Sequence, residues 1–222
     1  MARVFNFDYI YLIPLGLSCI VGCHNLQKRT YPEKIFTAFL LTTLIVEFTA
    51  IIWKWELYEV WTLPKSNLWL YNSFITVRHI FLSQFFCHVI RSDSIRKGIR
   101  VTAVFVLIFG IINYFYLQTP WAVNSYTIVV ANTVTIFLVF FYFRQLLKQK
   151  HLVNLSSSPI VWICVGTLFY YSGTLPFFLF FNYLAETNNS LLMSYLTIND
   201  GLNFIMYSSF LTAFLCNPRP PK

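Results

Sequence analysis

The stretch Asn67–Phe86, NLWLYNSFITVRHIFLSQFF, decides the fold. Its apolar weight suits one helical passage through lipid, which takes about 20 mainly apolar residues. Yet Arg78 and His79 stand side by side near its middle. A charge at the centre of a bilayer costs about 2.5–3.5 kcal/mol on insertion scales. A chain that keeps one there must surround it with protein.

The whole composition points the same way. Of 222 residues, 57% are hydrophobic and 11% charged, against about 25% charged in soluble domains. The 24 Phe and 14 Tyr suit contact with lipid better than contact with water. Counted along the chain, apolar runs predict helices at 9–24, 35–53, 67–90, 101–118, 124–143, 159–183 and 195–216. The expected fold is all-α: a polytopic membrane protein whose seven transmembrane helices form a single domain over 1–222, with no soluble domain.

Local signals refine these runs. Asp8, rather than a basic segment, precedes the first, so it reads as a retained helix and not a cleaved signal. Ser156–Ser158 before Pro159 make a good helix start, since proline's missing donor costs nothing there. Gly166, Gly173 and Pro176 inside the sixth run predict a kink near Thr174.

The net charge of +8 is not a nucleic-acid signature, because the basic residues sit in short clusters between apolar runs. Lys28, Arg29 and Lys34 form one cluster, and Arg91, Arg96, Lys97 and Arg100 another. With Arg144, Lys148, Lys150, Arg219 and Lys222 they place twelve of sixteen basic residues on one side. By the positive-inside rule that side is cytoplasmic, with the N-terminus outside and the C-terminus inside. The location implied is a plasma membrane, and the first partner is the lipid bilayer. The loop at 54–67, KWELYEVWTLPKSN, and Trp121 would then supply an outer belt of interfacial tryptophans.

The buried polar residues are the candidate site. Glu47 and Arg78 each lie about 20 Å, at 1.5 Å per residue, above the inner end of their runs. Opposite charges at one depth on consecutive helices predict a pair, direct or through water, acting as a structural clamp or as a gate. At 100° per residue, Asn72, Thr76, His79, Ser83 and Cys87 share one stripe, while Tyr71 and Arg78 occupy another flank. The stripe is expected to face the bundle interior and the charge to point sideways. Asp200, Asn203 and Tyr207 share a face of the seventh run. A cavity for a small ligand or ion is expected where Asn72, Thr76, His79, Ser83, Asp200, Asn203 and Tyr207 converge.

Catalysis and cofactors find little footing in the residues. No P-loop or GxGxxG pattern occurs, and Ser172-Gly173 follows no strand. The seventh run has no lysine for a retinal Schiff base. Cys23-His24 and Cys87-His88 end two runs, but adjacent helical residues diverge by about 100°, so no metal site is expected. The five cysteines are expected to be free thiols in the inner half. No enzyme activity and no cofactor are assigned.

Leu70-Tyr71-Asn72-Ser73-Phe74, opening the third run after a Trp-rich loop, resembles small bacterial seven-helix membrane proteins found near sensor histidine kinases. That resemblance makes the membrane the inner membrane of a bacterium and implies a sensory role with output through a cytoplasmic or membrane signalling partner. The layout is also similar to that of the SWEET sugar transporters, with Asn72 and Asn203 matching their asparagines in the third and seventh helices. It departs from them in lacking prolines in the second and fifth runs. The function expected is therefore a sensor or receptor-like signalling subunit; the alternative is a small-solute transporter or channel using the same cavity.

Overall fold

The structure, a computed structural model, describes residues 9–24, 26–53, 67–119, 122–149, 155–187 and 189–216. The tryptophan-bearing loop at 54–66, Trp121, Lys150, Arg219 and Lys222 lie outside the described residues. Among the described residues the fold is all-helical, with seven α-helices. They are α1 (Leu12–Cys23), α2 (Tyr31–Ile52), α3 (Leu68–Val89), α4 (Asp93–Ile112), α5 (Ser125–Leu147), α6 (Pro159–Thr187) and α7 (Asn189–Leu215). A π-helical turn, Asn113–Leu117, extends α4.

Several helices begin earlier than the apolar runs. Thr30, Pro32 and Glu33 start α2: the Glu33 carboxylate accepts the Thr30 backbone N–H at 2.7 Å. Ser92 precedes α4, and Asp93 pairs with Arg96 across its first turn. Arg96, Lys97 and Arg100 thus ride on a helix rather than a loop. The stretch 184–194 between the last two apolar runs is itself mostly helical. Polar first turns carry no apolar signal, so the run lengths underestimate these helices.

Helices α1, α2, α3, α5, α6 and α7 pack in chain order into a closed ring, because α7 returns to lie against α1. α4 stands outside the ring, on α3 and α5. Two side-chain clamps fix α3 to α5. Asn72 Nδ2 donates to the Ala122 carbonyl at 2.8 Å, and Asn72 Oδ1 accepts the Asn124 N–H at 3.1 Å. At the other end, Gln145 accepts the Arg91 N–H at 2.7 Å and donates to the Val89 carbonyl at 3.2 Å. Arg29 closes the ring by donating to the Val21 and Phe214 carbonyls, the free ends of α1 and α7.

Four helices, α2, α4 with its π turn, α5 and α6, are long and apolar enough to cross a membrane. α1 is apolar but only 12 residues long. α3 and α7 carry Asn72, Arg78, His79, Asn199, Asp200 and Asn203, which lower their apolarity. The outer surface is oily: Val101, Val104, Phe105, Ile108 and Ile111 of α4 are all at least half exposed. Such a surface gains nothing by burial when lipid is the solvent, so the helices cohere through close packing. A Cβ on Gly166 would lie 2.7 Å from Ser209 Cβ, which brings the backbones of α6 and α7 together. Gly110 does the same for α4 and α3, where a Cβ would lie 2.6 Å from Thr76 Oγ1.

Candidate functional site

The two ends of the bundle differ. Toward the ends of α1, α3 and α7 the interior is solid. Phe36, fully buried, packs on Phe85 at 5.3 Å and edge-on to Phe210 at 4.8 Å, with Leu15, Leu40 and Phe86 around them. Toward the opposite end, where α2 finishes and α3 begins, the helices part around a cavity of about 320 Å³.

Glu47 of α2 lines it with its carboxylate already engaged on one side. Tyr11 and Tyr71 hydroxyls both donate to Oε2, at 3.0 and 2.9 Å. Tyr11 also stacks on Tyr207, at 6.2 Å between rings, which ties the segment before α1 to α7. Asp200, Asn199 and Asn203 line the cavity from α7, and Asn67 and Asn72 from the start of α3. Phe39, Phe74, Phe178 and Phe181 complete an apolar wall.

Arg78 lines the same cavity. Its guanidinium carbon lies 5.1 Å from the Tyr171 ring centre and 6.0 Å from that of Tyr170. One Nη donates to Asn132 Oδ1 at 3.5 Å, and Asn132 in turn donates to Thr174 Oγ1 of α6 at 3.4 Å. Aromatic faces and an amide oxygen solvate the cation where water is scarce.

Of the Glu47–Arg78 pairing, expected direct or through water, the direct form is not made: among the described residues the one ion pair joins Asp93 and Arg96. Tyrosine hydroxyls hold Glu47 and tyrosine faces flank Arg78, and both charges line the cavity wall. The stripe on α3 is buried, as expected, but the flank assigned to the side is turned inward as well. Arg78 and Tyr71, assigned to a sideways flank, line the cavity. The polar stripe instead faces α4 and α5. Asn72 clamps the segment before α5, and Thr76 abuts Gly110. His79, 2% exposed, lies 3.5 Å from Thr135 Oγ1 through Nδ1. Cys87 reaches the Arg96 carbonyl.

Of the residues expected to converge, Asn72, Asp200, Asn203 and Tyr207 line the cavity, whereas Thr76, His79 and Ser83 do not. His79 Nε2 and Ser83 Oγ are buried without a hydrogen bond among the described residues. Tyr11, Asn67, Tyr170, Tyr171 and Asn199 join the cavity unforeseen. Tyr71 had one visible signal, its position seven residues before Arg78 on one flank. Tyr11 had none, since its contact with Glu47 spans 36 residues.

The cysteines and histidines at the helix ends stay apart. Cys23 and His24 are exposed, Cys87 is buried, and His88 packs on Tyr31 at 4.7 Å. All five cysteines are free thiols. No group of three or more His, Cys, Asp or Glu that could hold a metal forms among the described residues. Asn113, at the π turn, donates to Thr127 Oγ1 at 2.8 Å and to Gln118 Oε1 at 3.0 Å, which joins α4 to α5.

In comparisons with known protein families, curated proteins and solved structures, nothing matches this chain.

Proposed function

We propose that this chain is a multi-pass protein of a bacterial plasma membrane that serves as a sensor or receptor-like signalling subunit. All seven helices cross, with the N-terminus outside and the C-terminus in the cytoplasm. A small ligand or a proton enters the cavity from outside, shifts the surroundings of Glu47 and Arg78, and the inner ends of the helices pass the change to a cytoplasmic or membrane partner.

The observation that carries this reading is the asymmetry of the interior. A cavity lined by Glu47, Asp200 and Arg78 ends against the Phe36, Phe85 and Phe210 core. A charged cavity that ends against packed aromatics suits binding better than conduction. The oily exterior supports the membrane setting, and the basic residues collect at the closed end, which the positive-inside rule makes cytoplasmic. The bacterial assignment rests on the resemblance at Leu70–Phe74. No catalytic role is assigned to any residue.

A small-solute transporter is the second reading, and one feature favours it. Pro176 interrupts the hydrogen-bond ladder of α6 between the cavity residues Tyr171 and Phe178, a natural place for a helix to flex.

The experiment is to purify the protein in lipid nanodiscs, identify small molecules released on denaturation, and then measure binding and liposome flux of the released compound. Saturable binding without flux supports the receptor. Flux down a gradient supports the transporter. If nothing is released and proton titration of the protein leaves its fluorescence unchanged, the cavity is structural and the proposal fails.

A further inference from the structure

We infer that the cavity is built for a zwitterion of the amino-acid class, with the ligand's ammonium against Glu47, its carboxylate against Arg78, and an apolar side chain against the phenylalanines. The inference rests on the ligand-cavity reading above and names its ligand class.

Charge decides between ligand types. Arg78 has no carboxylate in ion-pair range among the described residues; its neighbours are the faces of Tyr171 and Tyr170, a hydrogen bond to the Tyr170 side chain and one long contact to Asn132. All of these partners are neutral, so the guanidinium has no counter-charge among the described residues and suits a bidentate acid. Glu47 is the counterpart. It is half-buried, and both tyrosine hydroxyls converge on Oε2, so among the described residues Oε1 accepts no hydrogen bond. An ammonium is the natural donor for that oxygen, and the rings of Tyr11, Tyr71 and Tyr207 add faces that favour a cation.

A simple carboxylate would satisfy Arg78 but bring a further negative charge toward Glu47 and Asp200, which line the same space. A simple amine would satisfy Glu47 and leave Arg78 without a counter-charge. A zwitterion answers both without adding net charge to a low-dielectric site, where uncompensated charge is costly. Size agrees: about 320 Å³ is near the lower bound of the about 300–1,000 Å³ of small-molecule pockets. Phe39, Phe74, Phe178 and Phe181 offer the remaining surface to an apolar or aromatic side chain.

The test uses the full-length protein in nanodiscs and three probes: phenylalanine, phenethylamine, which lacks the carboxylate, and 3-phenylpropanoate, which lacks the amine. Phenylalanine should raise the melting temperature and bind saturably. Each truncated probe should bind at least about tenfold more weakly, the scale of one lost charge-assisted contact. Arg78→Gln should erase the preference for phenylalanine over phenethylamine, and Glu47→Gln the preference over 3-phenylpropanoate. If either variant does not fold, the three probes on the unaltered protein still decide. Equal binding by a truncated probe overturns the zwitterion. So does an absence of phenylalanine binding, with a panel of the other common amino acids equally silent, while a compound of another charge type is released from the purified protein; that result leaves the cavity reading intact. If no probe binds and nothing is released, the cavity reading falls as well.

Discussion

The Tyr71 hydroxyl donates to Glu47 Oε2 at 2.9 Å, beside a second donation from Tyr11 at 3.0 Å. Glu47 is therefore held by two neutral donors from different parts of the ring. Tyr71 belongs to α3 and Tyr11 precedes α1, so one carboxylate ties three helices together at the cavity.

Removing either hydroxyl should weaken the bundle. Tyr71→Phe and Tyr11→Phe are each expected to cost about 1–2 kcal/mol, the upper range for polar contacts inside membrane proteins. The double variant should cost more than the two added together, because Glu47 then has neither donor. Unfolding in mixed micelles, followed by tryptophan fluorescence, measures all three. Strict additivity would show that the tyrosines do not share the carboxylate.

Arg78 is expected to resist replacement by lysine. Its planar guanidinium stacks near Tyr171 and reaches Asn132, whereas an ammonium is a compact, strongly hydrated charge that does neither well. Arg78→Lys should lower stability by about 1–3 kcal/mol, the order of a lost charged hydrogen bond. An unchanged melting temperature for that variant would mean that the charge alone, without its shape, is what the site needs.

Ser83 and Asn113 should respond in opposite directions. Ser83 Oγ is buried without a hydrogen bond among the described residues. Ser83→Ala removes an unsatisfied polar atom and should be neutral or stabilising. Asn113 bonds Thr127 and Gln118, so Asn113→Ala should cost about 1 kcal/mol. Comparing the two melting temperatures checks this; a destabilised Ser83→Ala would reveal a partner for its hydroxyl.

Two glycines offer a matched pair. A Cβ at Gly166 meets Ser209 Cβ at 2.7 Å and the Met206 carbonyl at 3.1 Å, while a Cβ at Gly16 meets nothing within 4 Å. Gly166→Ala should cost about 1–3 kcal/mol by overpacking α6 against α7. Gly16→Ala should be neutral or gain up to about 1 kcal/mol from helix propensity. Thermal stability of the two single variants in nanodiscs decides, and equal values would contradict the close approach.

Orientation has its own check. With the C-terminus in the cytoplasm, a C-terminal green fluorescent protein fusion should glow and a C-terminal alkaline phosphatase fusion should be inactive. The reverse pattern would put the cavity on the cytoplasmic side and remove an extracellular ligand from consideration.

The sequence by itself determined an all-helical chain, seven helices among the described residues, four of them long and apolar enough to cross a membrane. Apolar runs of bilayer length, broken by basic or polar clusters, left little other architecture open, because buried backbone in lipid must satisfy its hydrogen bonds within each helix. It also showed that α3 has two polar flanks, the Asn72–His79 stripe and the Tyr71–Arg78 line. Only the tertiary structure decided which flank meets the cavity. Helical periodicity reports that residues share a face; it carries no information about the neighbour on that face. With α4 and α5 packed outside α3, the stripe became a seam between helices, and the arginine turned to the cavity. For the same reason the partners of the two charges were hidden. Tyr11 meets Glu47 and Tyr171 meets Arg78 only once α7 closes the ring on α1 and α6 packs beside α5.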